Sequence, residues 1–401
     1  MSLVGFKTCL KLNNQQATLA SKHAGVARHA YNWGLATCFQ ALEDKAKLPS
    51  SVDLHKKLVA EVKSVYDWYY EVSKCAPQQA LRNLSQAFMN WWKHKHCKKP
   101  VFKKKGKGDS FYLEGNIRIS GNKIKIPIFG WVTCDEILPT VIPKNVTISK
   151  RANRWFISFR YELENRVTTK KAERVGVDVG INALATCSDG TVFPNPKAYR
   201  KATKRLARLQ RRVSKKVKGS NNRKKAITKL GIAHKRVSDI RKDNLHKITT
   251  ILAKNHSQVA IEDLNISGMM KNHRLASAIA DCGFFEFKRQ LTYKCDWYGS
   301  ELIIVDRFYP SSQICSSCGN RQKMPLKERV YNCLNCKASL DRDLNASINL
   351  ANFGSTASFV ETCKNKACRE VQPIESTTLK TSTKQEVSFK PIQLSLFDLI
   401  E

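Results

Sequence analysis

Cys315-Ser316-Ser317-Cys318 and Cys333-Leu334-Asn335-Cys336 are followed five residues later by Asp341-Arg342-Asp343-Leu344-Asn345-Ala346. Two CxxC knuckles fourteen residues apart have the spacing of a tetrahedral four-thiolate zinc site, because each knuckle bends the backbone so that both sulfurs face one ion. Zinc is the expected metal at Cys315, Cys318, Cys333 and Cys336, with iron as the alternative. Four unrelated buried thiols are a poor account of this spacing. An acidic motif directly after a zinc ribbon points to an enzyme acting on nucleic acid more than to a plain binding finger.

Composition supports that direction. The 401 residues carry 70 Lys+Arg against 33 Asp+Glu, a formal charge of +37, so the expected partner is a polyanion. Hydrophobic residues make up 42% of the chain, enough for two or more packed domains and too many for a disordered basic protein. The opening MSLVGFKTCLKLNNQQ has no apolar run of signal-peptide length, and no stretch approaches a membrane span. The expected setting is therefore the reducing cytoplasm, associated with the nucleoid and with no membrane partner. The ten cysteines outside the knuckles read as small buried hydrophobes, with Cys363 and Cys368 incidental in a polar tail.

Upstream, residues 16–95 read as helix. Leu81, Leu84, Phe88 and Trp91 recur at helical spacing, and Pro77 suits a first turn. Residues 93–107 then hold eight Lys and two His. Alternation takes over in Ile117-Arg118-Ile119 and Ile124-Lys125-Ile126, joined through Gly121-Asn122 as a hairpin. Residues 146–148 and 155–161 form a second pair. The architecture expected is a small β-barrel with a helical insertion near its N-terminal strand.

A second domain begins near Arg174. Val175, Val177 and Val179 alternate with Gly176 and Asp178, so a carboxylate sits on the face opposite the valines. Residues 183–187 and 191–193 read as the next strands, turned by Ser188-Asp189-Gly190. Residues 201–250 follow with 18 Lys+Arg and only Asp239 and Asp243; Leu245, Ile248, Ile251 and Leu252 supply an apolar helical seam. Taken alone, such a charge run reads equally as a solvated helix face. Residues 258–262 and 301–306 are two more strands, the first ending in Glu262. In the last helix Leu344, Ile348 and Ala351 are expected to pack and Asp343 to point away from them.

Asp178, Glu262 and Asp343 thus come from three elements in the order of the RNase H-like fold, where such carboxylates meet at the sheet. Three converging acids call for cations, and hard oxygen ligands suit Mg²⁺ or Mn²⁺. Two such ions about 4 Å apart activate water and stabilise a leaving oxygen. Each acid also has a plainer reading: Asp178 paired with an Arg, Glu262 with a Lys, or Asp341 or Asp343 capping a helix, of which Asp341 looks like the cap.

The runs 175–180 (VGVDVG), 261–264 (IEDL), 311–319 (SSQICSSCG) and 341–346 (DRDLNA) closely resemble motifs of the TnpB family, transposon-encoded RNA-guided endonucleases related to type V CRISPR effectors. The likeness includes Tyr31-Asn32-Trp33-Gly34-Leu35 and Phe102-Lys103-Lys104-Lys105, so it covers about residues 1–354. It implies a multidomain α+β fold: a wedge β-barrel (1–14 and 100–168), a helical recognition domain inserted in it (15–99), and an RNase H-like (RuvC) α/β nuclease domain (169–354) containing the zinc ribbon (308–340). It further implies a guide RNA from the transposon end, a short target-adjacent motif, and cleavage of double-stranded DNA at Asp178, Glu262 and Asp343. A cationic channel built from the basic helices and residues 93–107 would track the backbone, and Tyr69-Tyr70 and Trp91-Trp92 offer rings for unpaired bases or for the core.

Residues 355–401 are expected to be a flexible tail. Gln393-Leu394-Ser395-Leu396-Phe397 looks like a peptide that docks bacterial proteins into the sliding clamp, with an apolar staple on the nuclease domain as the alternative. The competing functions are a protein-only strand-transfer transposase and a guide-bound repressor without turnover.

Overall fold

The computed structural model describes residues 2–164, 167–325 and 327–354; the expectations for the 355–401 tail, its 393–397 peptide, Cys363 and Cys368 lie outside them. Strand β1 (Ser2–Lys11) leads into helix α1 (Asn14–Glu43). The helix starts where it does because Asn13 Oδ1 accepts from Gln16 N (2.8 Å) while Gln16 Oε1 accepts from Asn13 N (3.2 Å), a reciprocal cap that satisfies two orphan donors. The Gln16 amide also donates to Phe129 O and Trp131 O, each at 3.1 Å. The helical region expected over 16–95 is divided into α1, α2 (Ser51–Lys57) and α3 (Cys75–Lys93), with a π turn at Leu58–Lys63 and a 3₁₀ turn at Asp67–Tyr69. Leu81, Leu84 and Phe88 are buried as their spacing predicts, and Trp91 packs half-buried beside them.

Six strands follow: β2 (Ser110–Glu114), β3 (Arg118–Ser120), β4 (Lys123–Ile126), β5 (Gly130–Cys134), β6 (Asn145–Arg151) and β7 (Arg154–Leu163). With β1 they form one antiparallel sheet ordered β2-β6-β7-β1-β5-β4-β3. The predicted hairpins are both present, in the registers Ile119↔Ile124 and Ile148↔Ile157. Among the described residues no ladder joins β2 to β3. Phe111 of β2 stacks on Phe129 in the β4–β5 turn, 5.9 Å between centroids. His23 of α1 is fully buried against both rings. Its Nδ1 donates to Leu19 O (2.8 Å) and its Nε2 accepts from Ser73 N (3.0 Å), so burial holds the ring neutral and its pKa below the ordinary value.

The second sheet takes β8 (Ala172–Asp178), β9 (Ala183–Cys187), β10 (Val192–Pro194), β11 (His256–Glu262) and β12 (Glu301–Val305) in the order β10-β9-β8-β11-β12. β8, β11 and β12 are parallel neighbours, whereas β8–β9 and β9–β10 are antiparallel. Between β10 and β11 the chain makes the basic pair α4 (Ala198–Ser214) and α5 (Asn221–Asn255). This hairpin packs through Leu206, Val213, Leu230, Ala233 and Val237. Further along α5, Leu245, Ile248 and Leu252 are buried, but Ile251 is 44% exposed, because the seam is narrower than its four apolar residues suggest. α6 (Ile266–Met269), α7 (His273–Cys282) and α8 (Phe284–Tyr298) return the chain to β12. No helix among the described residues is long and apolar enough to cross a membrane.

A two-stranded ribbon, β13 (Val330–Asn332) and β14 (Ser339–Asp341), precedes the last helix, α9 (Arg342–Asn352). Its packed face differs from the expected one. Leu344, Ile348 and Ala351 are half-buried, while Asn345, Ala346, Ser347, Asn349 and Leu350 are buried. Small residues face β8 because the helix lies almost on the strand backbone: a Cβ added to Gly176 would stand 2.0 Å from Ser347 O and 2.4 Å from Ala351 N. Gly176→Ala is therefore expected to force α9 outward and cost at least about 1–3 kcal/mol, read as a lower denaturation midpoint in urea; an unchanged midpoint would show that α9 is not seated on this residue.

Candidate active site and metal centre

The seat of α9 on Gly176 sets the positions of the acids. Ser347 and Ala351 cover Gly176, and Asp343 is one helical turn before Ser347 on the same stripe. Asp178 is two residues beyond Gly176 on the same face of β8. Four helical residues advance about 6 Å and two strand residues about 6.7 Å, comparable distances from the Gly176 contact, and the charge of Asp343 acts on Asp178. Glu262 comes from the neighbouring strand. Val177 of β8 is in register with Ile261 of parallel β11, so the next residues, Asp178 and Glu262, end adjacent strands on one face.

The electrostatics agree with this convergence. Burial first, then the charges of Asp343 and Glu262, push the Asp178 carboxyl up to about 7 against a smaller downward pull from Arg342. Burial and Asp263 raise Glu262. Burial and Asp341 raise Asp343, which Arg329 (3.8 Å) partly offsets. Asp341 is the helix cap, its Oδ1 accepting from Asp343 N (2.9 Å) and Leu344 N (3.0 Å), which leaves the Asp343 carboxylate free of that duty. Asp263 stands apart. Hydrogen bonds from Lys288 (2.7 Å) and Arg307 hold it below the usual carboxylate range. The plainer pairing with a Lys thus falls on Asp263 and not on Glu262.

Among the described residues, the metal-ligand group whose donor atoms all lie within 4.8 Å of one another is Cys315, Cys318, Cys333 and Cys336. Sγ pairs at 3.6 Å (Cys315···Cys336 and Cys318···Cys333) are close to the roughly 3.8 Å edge of a tetrahedron with Zn–S of 2.3 Å. The knuckles match each other. Gly319 and Lys337, each directly after a CxxC, have φ of +73° and +63°, and their N–H groups donate to Cys315 O (2.9 Å) and Cys333 O (3.1 Å). The backbone N–H of Asn320 holds the Cys318 thiol down to about 6. Cys336, despite a backbone hydrogen bond at Ala338, is pushed up to about 12 by hydrogen bonding with Cys318 and its neighbours. A divalent cation resolves that competition for protons, so the four residues fit zinc. The three carboxylates, more loosely spaced than the thiols, fit a hard cation by their oxygen donors and mutual repulsion.

Two residues escaped the sequence reading. Asn345 Nδ2 donates to Ile314 O (2.7 Å) and its Oδ1 accepts from Ser316 N (2.9 Å); Asn349 Nδ2 donates to Ser311 O and Ile314 O, both at 2.7 Å. Both amides are buried. They fasten the first knuckle to the helix that carries Asp343. Their signal was present as Asn at i and i+4 in a packed helix, where an amide needs partners. Of the aromatic pairs, Tyr69 is buried, and Tyr70 (66% exposed) and Trp92 (56%) face solvent.

Fold and site together define a multidomain α+β protein in which a four-thiolate centre buttresses a helix, and that helix carries one of three converging carboxylates beside a cationic surface. Family models match in three places: "Probable transposase" over residues 158–273, "Cas12f1-like, TNB domain" over 284–350 and "Helix-turn-helix domain" over 1–47. The last span holds one strand and one unbroken helix here. A Streptomyces pristinaespiralis protein named as a candidate RNA-guided DNA endonuclease is 37% identical over 396 residues, covering 95% of each chain. InsQ of Escherichia coli (strain K12), named in the same way, is 34% identical, covering 88% of this chain and 92% of its own. A Cas12f1–sgRNA–target DNA complex matches with TM-score 0.50 at 14% identity, covering 85% of this chain and 83% of that one, a likeness of fold. The chain belongs to the TnpB family.

Two outcomes follow from the site. The folded pKa of Asp178 lies above its unfolded value of about 3.9, so the folded state holds more protons between those values and stability falls as pH rises from about 4 through about 7. In chelated buffer, Asp178→Asn is expected to exceed the wild type by roughly 1–2 kcal/mol at pH 8 and to match it near pH 4; a constant difference across that window contradicts the shift. Cys333→Ser is expected to abolish the stoichiometric zinc measured by mass spectrometry and to lower Tm, since the first knuckle is tied to α9.

Proposed function

We propose that this protein is an RNA-guided DNA endonuclease of a transposon, hydrolysing phosphodiester bonds of double-stranded DNA with Asp178, Glu262 and Asp343 as catalytic residues. The single observation behind the reading is the placement of Asp178 and Glu262 at the ends of adjacent parallel strands under the α9 stripe that carries Asp343. Curated relatives named for this activity over nearly the full chain support it.

In this reading the second sheet, ordered β10-β9-β8-β11-β12, is an RNase H-like (RuvC) nuclease domain over 169–354, with the zinc ribbon at 308–340. The first sheet is the wedge barrel (1–14 and 100–168) around a helical recognition domain (15–99). Mg²⁺ or Mn²⁺, if bound at the carboxylates, would supply charge neutralisation and Lewis acidity for phosphodiester hydrolysis. Asp178 and Glu262 hold it from the sheet and Asp343 from the helix. The α4–α5 hairpin and residues 93–107 bind backbone phosphates, which makes affinity strongly salt-dependent. Guide pairing, not side chains, then reads the target beyond a short adjacent motif. Gln393, Leu394, Ser395, Leu396 and Phe397 dock in a bacterial sliding clamp, which tethers the cytoplasmic, nucleoid-associated nuclease where a cut donor site is recopied.

Expressed with its native flanking DNA, the protein is expected to copurify with a discrete RNA ending in a variable segment. Asp178→Ala should retain that RNA while Mg²⁺-dependent cleavage of a matched duplex falls at least about 10³-fold. Heterogeneous cellular RNA with RNA-independent joining of ends would instead identify a strand-transfer transposase. Full cleavage by Asp178→Ala would remove the carboxylate from the chemistry. Replacing Leu396 and Phe397 with Ala should abolish binding to purified clamp, and no binding by the intact tail would end the tether.

A further inference from the structure

Residues 94–109 contain neither helix nor strand, yet they are held along one face of α1. Arg28, Asn32 and Phe39 recur at i, i+4 and i+11 on that helix, with Tyr31 beside them. Phe39 meets the Lys99 ammonium (4.4 Å to its centroid) and the edge of Phe102 (5.9 Å). Arg28 pairs with Asp109 at 3.1 Å, and Asp109 also accepts from Gly106 N at 3.2 Å. The central grip is Asn32. Its Nδ2 donates to Lys103 O (3.0 Å) and its Oδ1 accepts from Lys103 N (2.8 Å), the two bonds that a neighbouring strand would make. The Lys103 ammonium lies over the Tyr31 ring at 3.9 Å.

A segment this rich in lysine repels itself and has no regular hydrogen bonding to fix its path. Asn32 supplies the missing bonds from a helix 71 residues away in sequence. The segment so held walls a groove of about 1030 Å³ between α1, α3 and the first sheet, whose lining includes Arg28, Gln79, Asn83, Lys103, Lys107 and Arg160. Its cations suit phosphates and its amides suit polar base edges, while Phe6, Val141 and Ile142 add apolar surface and Asp109 and Glu162 add two acids.

We propose that Asn32 is a positioning residue: it fixes the path of residues 99–107 so that their lysines meet the sugar–phosphate backbone of a nucleic acid lying in this groove. The inference rests on the nucleic-acid reading above and adds to it the residue that shapes the cationic wall, far from the carboxylates.

The test measures fluorescence anisotropy of the full-length chain, stripped of bound nucleic acid, with a 20-bp DNA duplex and a 20-nt RNA across a salt series. Asn32→Ala is expected to weaken binding of at least one probe about tenfold and to reduce the slope of log K against log salt by roughly two, the loss of about two phosphate contacts. The probe affected assigns the backbone as DNA or RNA. In a Lys104→Ala/Lys107→Ala background, which removes two lysines of the segment that line the groove, Asn32→Ala should add less than about a twofold loss, because the contacts it positions are already gone. Asn32→Asp keeps the bond from Lys103 N and should stay within about threefold of the wild type, which separates positioning from collapse of the fold. Unchanged affinity and slope for Asn32→Ala, its full additivity with the lysine changes, or an Asp variant as weak as the Ala one would each overturn the inference. A wild-type chain that binds neither probe would overturn the nucleic-acid reading beneath it.

Discussion

The absence of a side chain at Gly176 is the constraint on which the active region depends. Any Cβ there would collide with the backbone of α9 at Ser347 and Ala351, so only glycine lets the helix settle on the central strand. That seat turns a local motif, Asp341 to Ala346, into part of a site built from residues far apart in sequence. The helix is gripped from its other side by the ribbon, through the amides of Asn345 and Asn349. The four-cysteine cluster thus includes both cysteines of the knuckle that is fastened to those amides.

A second constraint is charge. A chain of formal charge +37 nonetheless holds Asp178, Glu262 and Asp343 half-buried, and desolvation first, then the charges of Asp343 and Glu262, push Asp178 up to about 7. The cations are distributed for a different task. Residues of the α4–α5 hairpin and of the segment along α1 face outward, where long-range attraction draws in a polyanion. Asp263 absorbs Lys288 and Arg307, which keeps those two cations paired beside Glu262.

Much of this was legible in the sequence where the pattern is local. Period-two alternation placed Asp178 opposite Val175 and Val177, the turn Gly121-Asn122 identified its hairpin, and the CxxC spacing brought four thiols together. Asp341 was separable as a cap from Asp343 because a cap needs only its own next turn. Tertiary choices were not legible. The packed face of α9 was read only in part: apolar spacing favoured Leu344, Ile348 and Ala351, of which Ala351 does cover Gly176, whereas contact with a bare glycine also selects Ser347. Ile251 looked like core but is 44% exposed among the described residues. The spacing of Asn345 and Asn349 marks amides that need partners but not which ones, and the partners of Asn32 and Asn349 lie 71 and 35–38 residues away. The contact of Phe111 with Phe129 was likewise hidden, because no ladder among the described residues joins β2 to the β4–β5 turn.

The most direct test of the central claim, that three carboxylates from two strands and a helix form one divalent-cation site, is a Mn²⁺ titration of the zinc-loaded chain followed by electron paramagnetic resonance. Saturable tight binding is expected in the wild type and in Asp263→Asn, and its loss is expected on replacing any one of Asp178, Glu262 or Asp343 with Ala while zinc content stays constant. Tight Mn²⁺ binding that survives all three replacements would contradict the account.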